Sequence, residues 1–424
     1  MENTISVSFN TDILEEDADV PLPSSKSISN RLLVMQYIAG KKFHLKNISN
    51  SDDTLLMREL LEDVRDNEGS EREIELNVSN AGTVMRFLTA LLSFTDGEWL
   101  LTGNDRMKNR PIAPLVSALR SLGASIEYIE TPNYPPIRIN GSRELCKTQS
   151  AIVEIDATLS SQFISAVMMI APIFQNGLHI VLHGTNKVSV PYIQMTASLM
   201  RSCGVRVEFI DNNNIFAEGQ YSAPENPCIE NDWSAASYMY AFLALSDKGT
   251  FHLPRLYEDS VQGDKIIAEW FEDFGIETVF NSDGIVITKK PGEISRSPRL
   301  YDFTHHPDIA QTIAVVCAGL GLEARIIGIH SLKHKETDRI AAVSNELRRL
   351  GANVEYNAKK DELHIIGSSQ NGLRINTKEP VRTYGDHRMA MAFAALSARY
   401  PDIKIENPEV VSKSFPAFWS VVAK

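Results

Sequence analysis

At 424 residues and 43% hydrophobic content, the chain is longer than one ordinary core requires, so two sizeable domains are expected. A formal charge of -12 leaves no excess of Lys and Arg to neutralise a nucleic-acid backbone or an anionic membrane, so any anion must be held locally. The longest apolar stretches, residues 163–174 and 309–322, fall short of the roughly 18 residues that suggest a membrane span and read as buried helices.

The first twenty residues, MENTISVSFNTDILEEDADV, are acidic and lack an apolar run behind basic residues, unlike a secretory signal or a transit peptide. Cys146, Cys203, Cys228 and Cys317 are widely spaced, with no paired metal-ligand pattern. That usage fits a reducing, cytoplasmic setting rather than a disulfide framework.

In chain order, six segments open on a polar cluster and continue as a helix with few charges. They are KSISNRLLVMQYIA from Lys26, NAGTVMRFLTALL from Asn80, SSQFISAVMMIAPIF from Ser160, WSAASYMYAFLAL from Trp233, DIAQTIAVVCAGL from Asp308 and DHRMAMAFAALSA from Asp386. Helices apolar nearly all round must be buried, and their polar starts must face something wet or charged. In phase with them runs a second series, LRSLGASIEY, MRSCGVRVEF, FEDFGIETVF and LRRLGANVEY, whose Gly123, Gly204, Gly275 and Gly351 recur every 71 to 81 residues. Each Gly is placed to end a helix in a left-handed conformation, and each following run alternates as a half-buried strand. Gly-ended helices are common in any large α/β protein; two series in phase mark a repeat of six units.

The second helix of a unit opens on residues such as Arg110-Pro111, SVPY from Ser189, SVQG from Ser260, KETDR from Lys335 and KSFP from Lys413. Equivalent positions of stacked units lie at one end of a structure. Helix starts gathered there present free N–H groups and positive dipole ends, which makes an anion site inside an acidic protein. Lys26, Arg31, Arg86, Arg110, Lys335, Arg339, Arg388 and Lys413 cluster at these starts, interleaved with Ser27, Thr83, Ser160, Ser161, Gln162, Ser189, Asp308 and Glu336. Each cation taken singly is an ordinary solvated residue, and several of the hydroxyls are ordinary N-caps. A carboxylate among cations can take a hydroxyl proton. His305-His306-Pro307-Asp308 has no accompanying ligand set, and no phosphate loop or Gly-x-Gly-x-x-Gly fingerprint occurs, so neither a metal nor a nucleotide cofactor is expected.

Nine motifs, PSSKSISNR, NAGTVMR, RMKNRPI, SSQF, SVPYI, HPDIA, KETDR, DHRMAM and SKSFP, occur in that order between residues 23 and 416. In this set and order the chain resembles the enolpyruvyl transferases, specifically their shikimate-pathway branch. The resemblance implies an inside-out α/β fold of two domains, each of three βαβαββ units with buried helices. One domain would span residues 25–231 and the other 1–24 plus 232–424, with the active site in the cleft between them. It further implies transfer of the enolpyruvyl group of phosphoenolpyruvate to the 5-hydroxyl of shikimate 3-phosphate through a tetrahedral intermediate, releasing phosphate.

Carried over by position, Asp308 resembles the base, with Lys26, Glu336 and His387 as proton carriers. Lys26, Ser27, Arg31, Ser160, Ser161, Gln162, Ser189, Asp308, Ser331 and Lys335 resemble the shikimate 3-phosphate contacts. Lys26, Gly82, Thr83, Arg110, Gln162, Arg339, Arg388 and Lys413 resemble those for phosphoenolpyruvate. Ser24, Phe87 and Val190 replace residues common in the family. No cofactor, metal, nucleic acid, membrane or protein partner is implied, and a monomer is expected. The related transferase acting on UDP-N-acetylglucosamine typically carries a reactive Cys shortly before the position of Arg110; residues 103–111 contain none. A silent anion-binding protein on the same fold is the other alternative, against which the intact Lys26, Asp308, Glu336 and Arg339 speak.

Overall fold

In the computed structural model, residues 3–424 are described except 15–18, 148–150, 186, 293, 369–371, 374–378 and 402. The chain divides into two compact units, one of Met1–Ser25, Asn50–Asp52 and Glu230–Lys424, the other of Lys26–Ser49 and Asp53–Ile229.

Within the 26–229 unit, two segments run strand, helix, strand, helix, strand, strand. The first comprises Glu73–Asn77, Gly82–Leu92, Gly97–Thr102, Ala113–Ser121, Ser125–Tyr128 and Ile137–Gly141. The second comprises Ala151–Asp156, Ser161–Ile170, Leu178–His183, Val190–Ser202, Arg206–Phe209 and Asn214–Glu218. In both, the first two strands pair in parallel, and the fourth inserts antiparallel between the second and the third. The helix Lys26–Ile38 packs against Gly82–Leu92, Ser161–Ile170 and Val190–Ser202.

In the other unit the same order recurs in Arg299–Asp302, Ala310–Leu320, Ala324–Ile327, Arg339–Arg349, Asn353–Asn357 and Glu362–Ile366. Two further units there are abbreviated. Phe271–Phe274 is a 3-10 turn rather than an α-helical end, because Phe271 and Phe274, three apart, both turn inward and meet edge to face at 5.2 Å. The expected helix from Lys413 is instead a 3-10 turn, Pro408–Lys413, followed by Phe418–Val422. Pro416 has no N–H to continue a helix through that point.

Burial follows the apolar pattern. Every residue of Trp233–Leu245 except Ser234 is buried, as is every residue of Ala310–Leu320 and His387–Ala394, while strands such as Ile137–Gly141 alternate buried and exposed. Helices therefore form the interior of each unit and the sheets show one face outward. The four repeat glycines all take positive φ, between 77° and 95°, and each is followed by an alternating strand. Among the described residues no helix is long and apolar enough to cross a membrane.

Candidate active site

The two units carry different sets of polar groups. In the 26–229 unit, Lys26 opens its helix and its Nζ lies 3.0 Å from Asp53 Oδ2. One turn later Arg31 is only 1% exposed. Its Nε donates to Thr196 Oγ1 (2.8 Å), Nη2 to Ser165 Oγ (3.1 Å) and Nη1 to the Ser27 carbonyl (2.9 Å). The guanidinium carbon also lies 5.3 Å from the Phe87 ring centre and 5.9 Å from that of Tyr192. Burial pulls its pKa down to about 10 against the opposing influence of Tyr192. Arg31 is thus committed to tying helices together and stands behind Ser27.

Around Gly82 the geometry is tighter. Gly82 begins the helix Gly82–Leu92, and the preceding Ala81 offers no side-chain cap to its first N–H groups. A Cβ on Gly82 would sit 2.5 Å from Arg110 Nη2, so this Gly admits the guanidinium against the helix start. Arg110 Nη1 donates to the Asn80 carbonyl at 3.2 Å. Thr83 Oγ1 accepts from Asn30 Nδ2 at 3.1 Å, and Arg86 braces the turn through the Pro111 carbonyl at 3.1 Å. Ser160 caps Ser161–Ile170, its Oγ accepting from the Gln162 N–H at 3.3 Å, with Ser161 buried behind it. Ser189 precedes Val190–Ser202 with a φ of 55°, a left-handed conformation that a Ser adopts at a cost.

In the other unit, cations meet carboxylates. Asp308 lies in the 3-10 turn Pro307–Ile309 that leads into Ala310–Leu320. Its Oδ2 is 3.0 Å from Arg388 Nη2; its Oδ1 is 3.1 Å from Arg339 Nη1 and 3.4 Å from Lys335 Nζ. Burial by itself would raise the Asp308 pKa, but Arg388, Lys335 and Arg339 together hold it well below the usual carboxylate range. Burial also lowers the Lys335 ammonium, which Asp308 only partly offsets. Arg339, 1% exposed, is bound further by Glu336 Oε2 (2.7 Å) and by both oxygens of Asp386 (2.7 and 3.3 Å). Asp386 caps His387–Ala394 by accepting the Arg388 N–H, and His387 Nδ1 lies 3.4 Å from the same carboxylate. Arg388 Nη1 meets Tyr238 Oη at 3.3 Å. Ser331 is buried on the turn His330–His334, and Lys413 ends the turn Pro408–Lys413.

The expected base, Asp308, is therefore brought together with Lys335, Glu336, Arg339 and Arg388. Reasoning from residue types overlooked Asp386, Asp53, Tyr192 and Tyr238. Asp386 and Tyr192 stand inside motifs already conspicuous, DHRMAM and SVPYI. Asp53 and Tyr238 gave no signal, since isolated acids and core tyrosines are common. Among the described residues no group of three or more His, Cys, Asp or Glu is placed to hold a metal ion.

This composition, arginines with hydroxyls and carbonyls in one unit and cations with carboxylates in the other, suits small anions together with proton transfer. Residues 14–422 match the family model of EPSP synthase (3-phosphoshikimate 1-carboxyvinyltransferase). The chain belongs to the EPSP synthase family. It is 41% identical over 409 residues to a 3-phosphoshikimate 1-carboxyvinyltransferase of Bacteroides fragilis, covering 96% of this chain and 95% of the relative. The enzyme of that name from Vibrio atlanticus is 35% identical over 427 residues, with 96% of each chain covered. A solved EPSP synthase structure from Acinetobacter baumannii superposes with a TM-score of 0.71 at 19% identity, covering 99% of this chain and 97% of the other. At that identity the likeness establishes the two-domain α/β fold of the family.

Proposed function

We propose that this protein is a 3-phosphoshikimate 1-carboxyvinyltransferase, which moves the enolpyruvyl group of phosphoenolpyruvate to the 5-hydroxyl of shikimate 3-phosphate in aromatic amino acid biosynthesis. Family membership supports the activity; the observation that carries the chemistry is Asp308, ionised between Arg388, Arg339 and Lys335.

As the 5-hydroxyl oxygen bonds to the central carbon of phosphoenolpyruvate, its proton passes to Asp308 and the methylene carbon gains a proton to become a methyl group. The tetrahedral intermediate then loses phosphate by C–O cleavage, and a methyl proton returns to the protein to restore the double bond. Lys26, Glu336 and His387 are the proposed proton carriers on the methylene side. The two substrates and these side chains account for every proton and electron pair.

Positioning and charge stabilisation fall to the cations. Arg110 against Gly82, with Thr83 and Gln162 beside the starts of their helices, is proposed to hold phosphoenolpyruvate; Lys26, Arg339, Arg388 and Lys413 are proposed as further phosphoenolpyruvate contacts. Ser27, Ser160, Ser161, Gln162 and Ser189 are proposed to hold shikimate 3-phosphate, with Lys335 and Ser331. Arg31 supports Ser27 by donating from Nη1 to its backbone carbonyl at 2.9 Å. Free, widely spaced thiols and an acidic charge support a cytoplasmic monomer.

The test is phosphate release from phosphoenolpyruvate with either shikimate 3-phosphate or UDP-N-acetylglucosamine as acceptor. Release with shikimate 3-phosphate alone is expected. Release with the UDP-sugar alone, or with neither, refutes the assignment.

A further inference from the structure

One buried acid stands beside the Asp308 network without a direct ion pair to it. Asp264 is 3% exposed at the turn Gly263–Ile266 and accepts the Ser234 hydroxyl on Oδ2 at 2.5 Å. Its Oδ1 is buried with no hydrogen-bond partner, and the nearest ring nitrogen, His306 Nδ1, lies 4.0 Å away. That Nδ1 is likewise buried and without a partner. The His306 ring makes its backbone hydrogen bond to Gly263, in the sense that favours the protonated ring. Burial and His305 keep the ring neutral, with a pKa drawn down to about 4. Two buried atoms without hydrogen-bond partners, His306 Nδ1 and Asp264 Oδ1, thus face each other at 4.0 Å.

The groups that reach Asp264 from its surroundings point the same way. Asp308 and Asp232 add negative charge, Arg388 adds positive charge, and Ser234 supplies the one hydrogen bond. Burial first, then Asp308, raises the Asp264 pKa to about 7. Two carboxyls in one buried region cannot both ionise without cost, and Asp308 is the one gripped by three cations.

We propose that Asp264 is a positioning residue for Asp308: as the neutral acid it sits beside His306, two residues before Asp308, and it keeps the local charge low enough for anionic ligands to bind. This rests on the functional reading above. Ligand anions and an ionised Asp264 repel each other, so productive binding is strongest below the Asp264 pKa and weakens as pH rises through it. Proton uptake at Asp264 accompanies binding wherever the free enzyme has begun to ionise.

The test compares wild type, Asp264→Asn and Ser234→Ala from pH 6 to 8.5. In the ligand-free proteins, infrared difference spectra should contain a protonated carboxylic acid at pH 6 that is lost in Asp264→Asn. In phosphate-release assays, kcat/KM of wild type should fall about tenfold relative to Asp264→Asn at one pH unit above the Asp264 pKa. The comparison cancels ionisation of the substrates themselves. Ser234→Ala removes the hydrogen bond that lowers the Asp264 pKa, so its falling limb should move to higher pH, and this variant serves if Asp264→Asn does not fold. Parallel profiles for wild type and Asp264→Asn, an unmoved limb in Ser234→Ala, or absence of the buried-acid band each overturn the proposal. If wild type releases no phosphate, the functional reading fails by itself, while the infrared measurement still decides whether Asp264 is a neutral buried acid.

Discussion

The arginines of the two units do opposite things with their charge. In the 26–229 unit, Arg31, Arg86 and Arg110 donate to hydroxyls and backbone carbonyls, which lend only partial negative charge. In the other unit, Arg339 and Arg388 are bound to Asp308, Asp386 and Glu336. Buried ion pairs of this kind contribute little net stability, but removing one partner leaves an uncompensated charge behind. The first arrangement favours holding anions, and the second favours fixing where protons reside.

The strongest challenge to this contrast is Asp308→Ala. It should leave the far-ultraviolet dichroism spectrum intact while turnover falls by roughly 10²–10⁴; near-normal turnover would remove Asp308 from the role of base. Next is a stability comparison by urea unfolding between Arg339→Met and Arg31→Met. Arg339→Met removes the guanidinium that faces Glu336 and Asp386 and should cost about 3–5 kcal/mol. Arg31→Met leaves neutral hydroxyls and a carbonyl, each with alternatives such as the Thr196–Ser165 hydrogen bond, and should cost about 1–3 kcal/mol. Equal losses would mean that the two arginines are not held differently.

Gly82→Ala sharpens the picture at one contact. The new methyl can be accommodated only if the Arg110 guanidinium moves, so KM for phosphoenolpyruvate should rise about tenfold, with little change in the unfolding midpoint. An unaltered KM would place the ligand away from Gly82.

The smallest expected effect concerns Glu230, next to the point where the chain passes from one unit to the other. Burial, with Asp259 and Asp232 adding to it against hydrogen bonds from Ser260 and Gln262, raises its pKa to about 6. Because the folded value is the higher one, the stabilisation is complete below pH ~4 and lost as pH rises through about 6. Glu230→Gln should remove that dependence, worth about 1–2 kcal/mol between pH 4.5 and 7.5 in urea titrations. Parallel curves for the two proteins would show that Glu230 does not titrate in this range.

Much of this molecule was readable before any coordinates. Helices such as Trp233–Leu245 are apolar all round, which forces them inside, and Gly123, Gly204, Gly275 and Gly351 mark where helices must turn into strands. These are local constraints of hydrophobicity and backbone conformation, and they sufficed for the repeat and the helix starts that carry the polar residues; the fold class came from the family that the motifs resemble. Which cation serves which partner was not local. Arg31 and Arg339 look alike in sequence, each near the start of a helix, yet one is spent on Thr196 and Ser165 and the other on Asp386, residues far along the chain. Asp264 and Asp308 are likewise both acids near short turns. Only packing gives one of them three cations and the other a serine hydroxyl in a buried site, because the charge state of a buried group is set by neighbours that the chain brings together only when it folds.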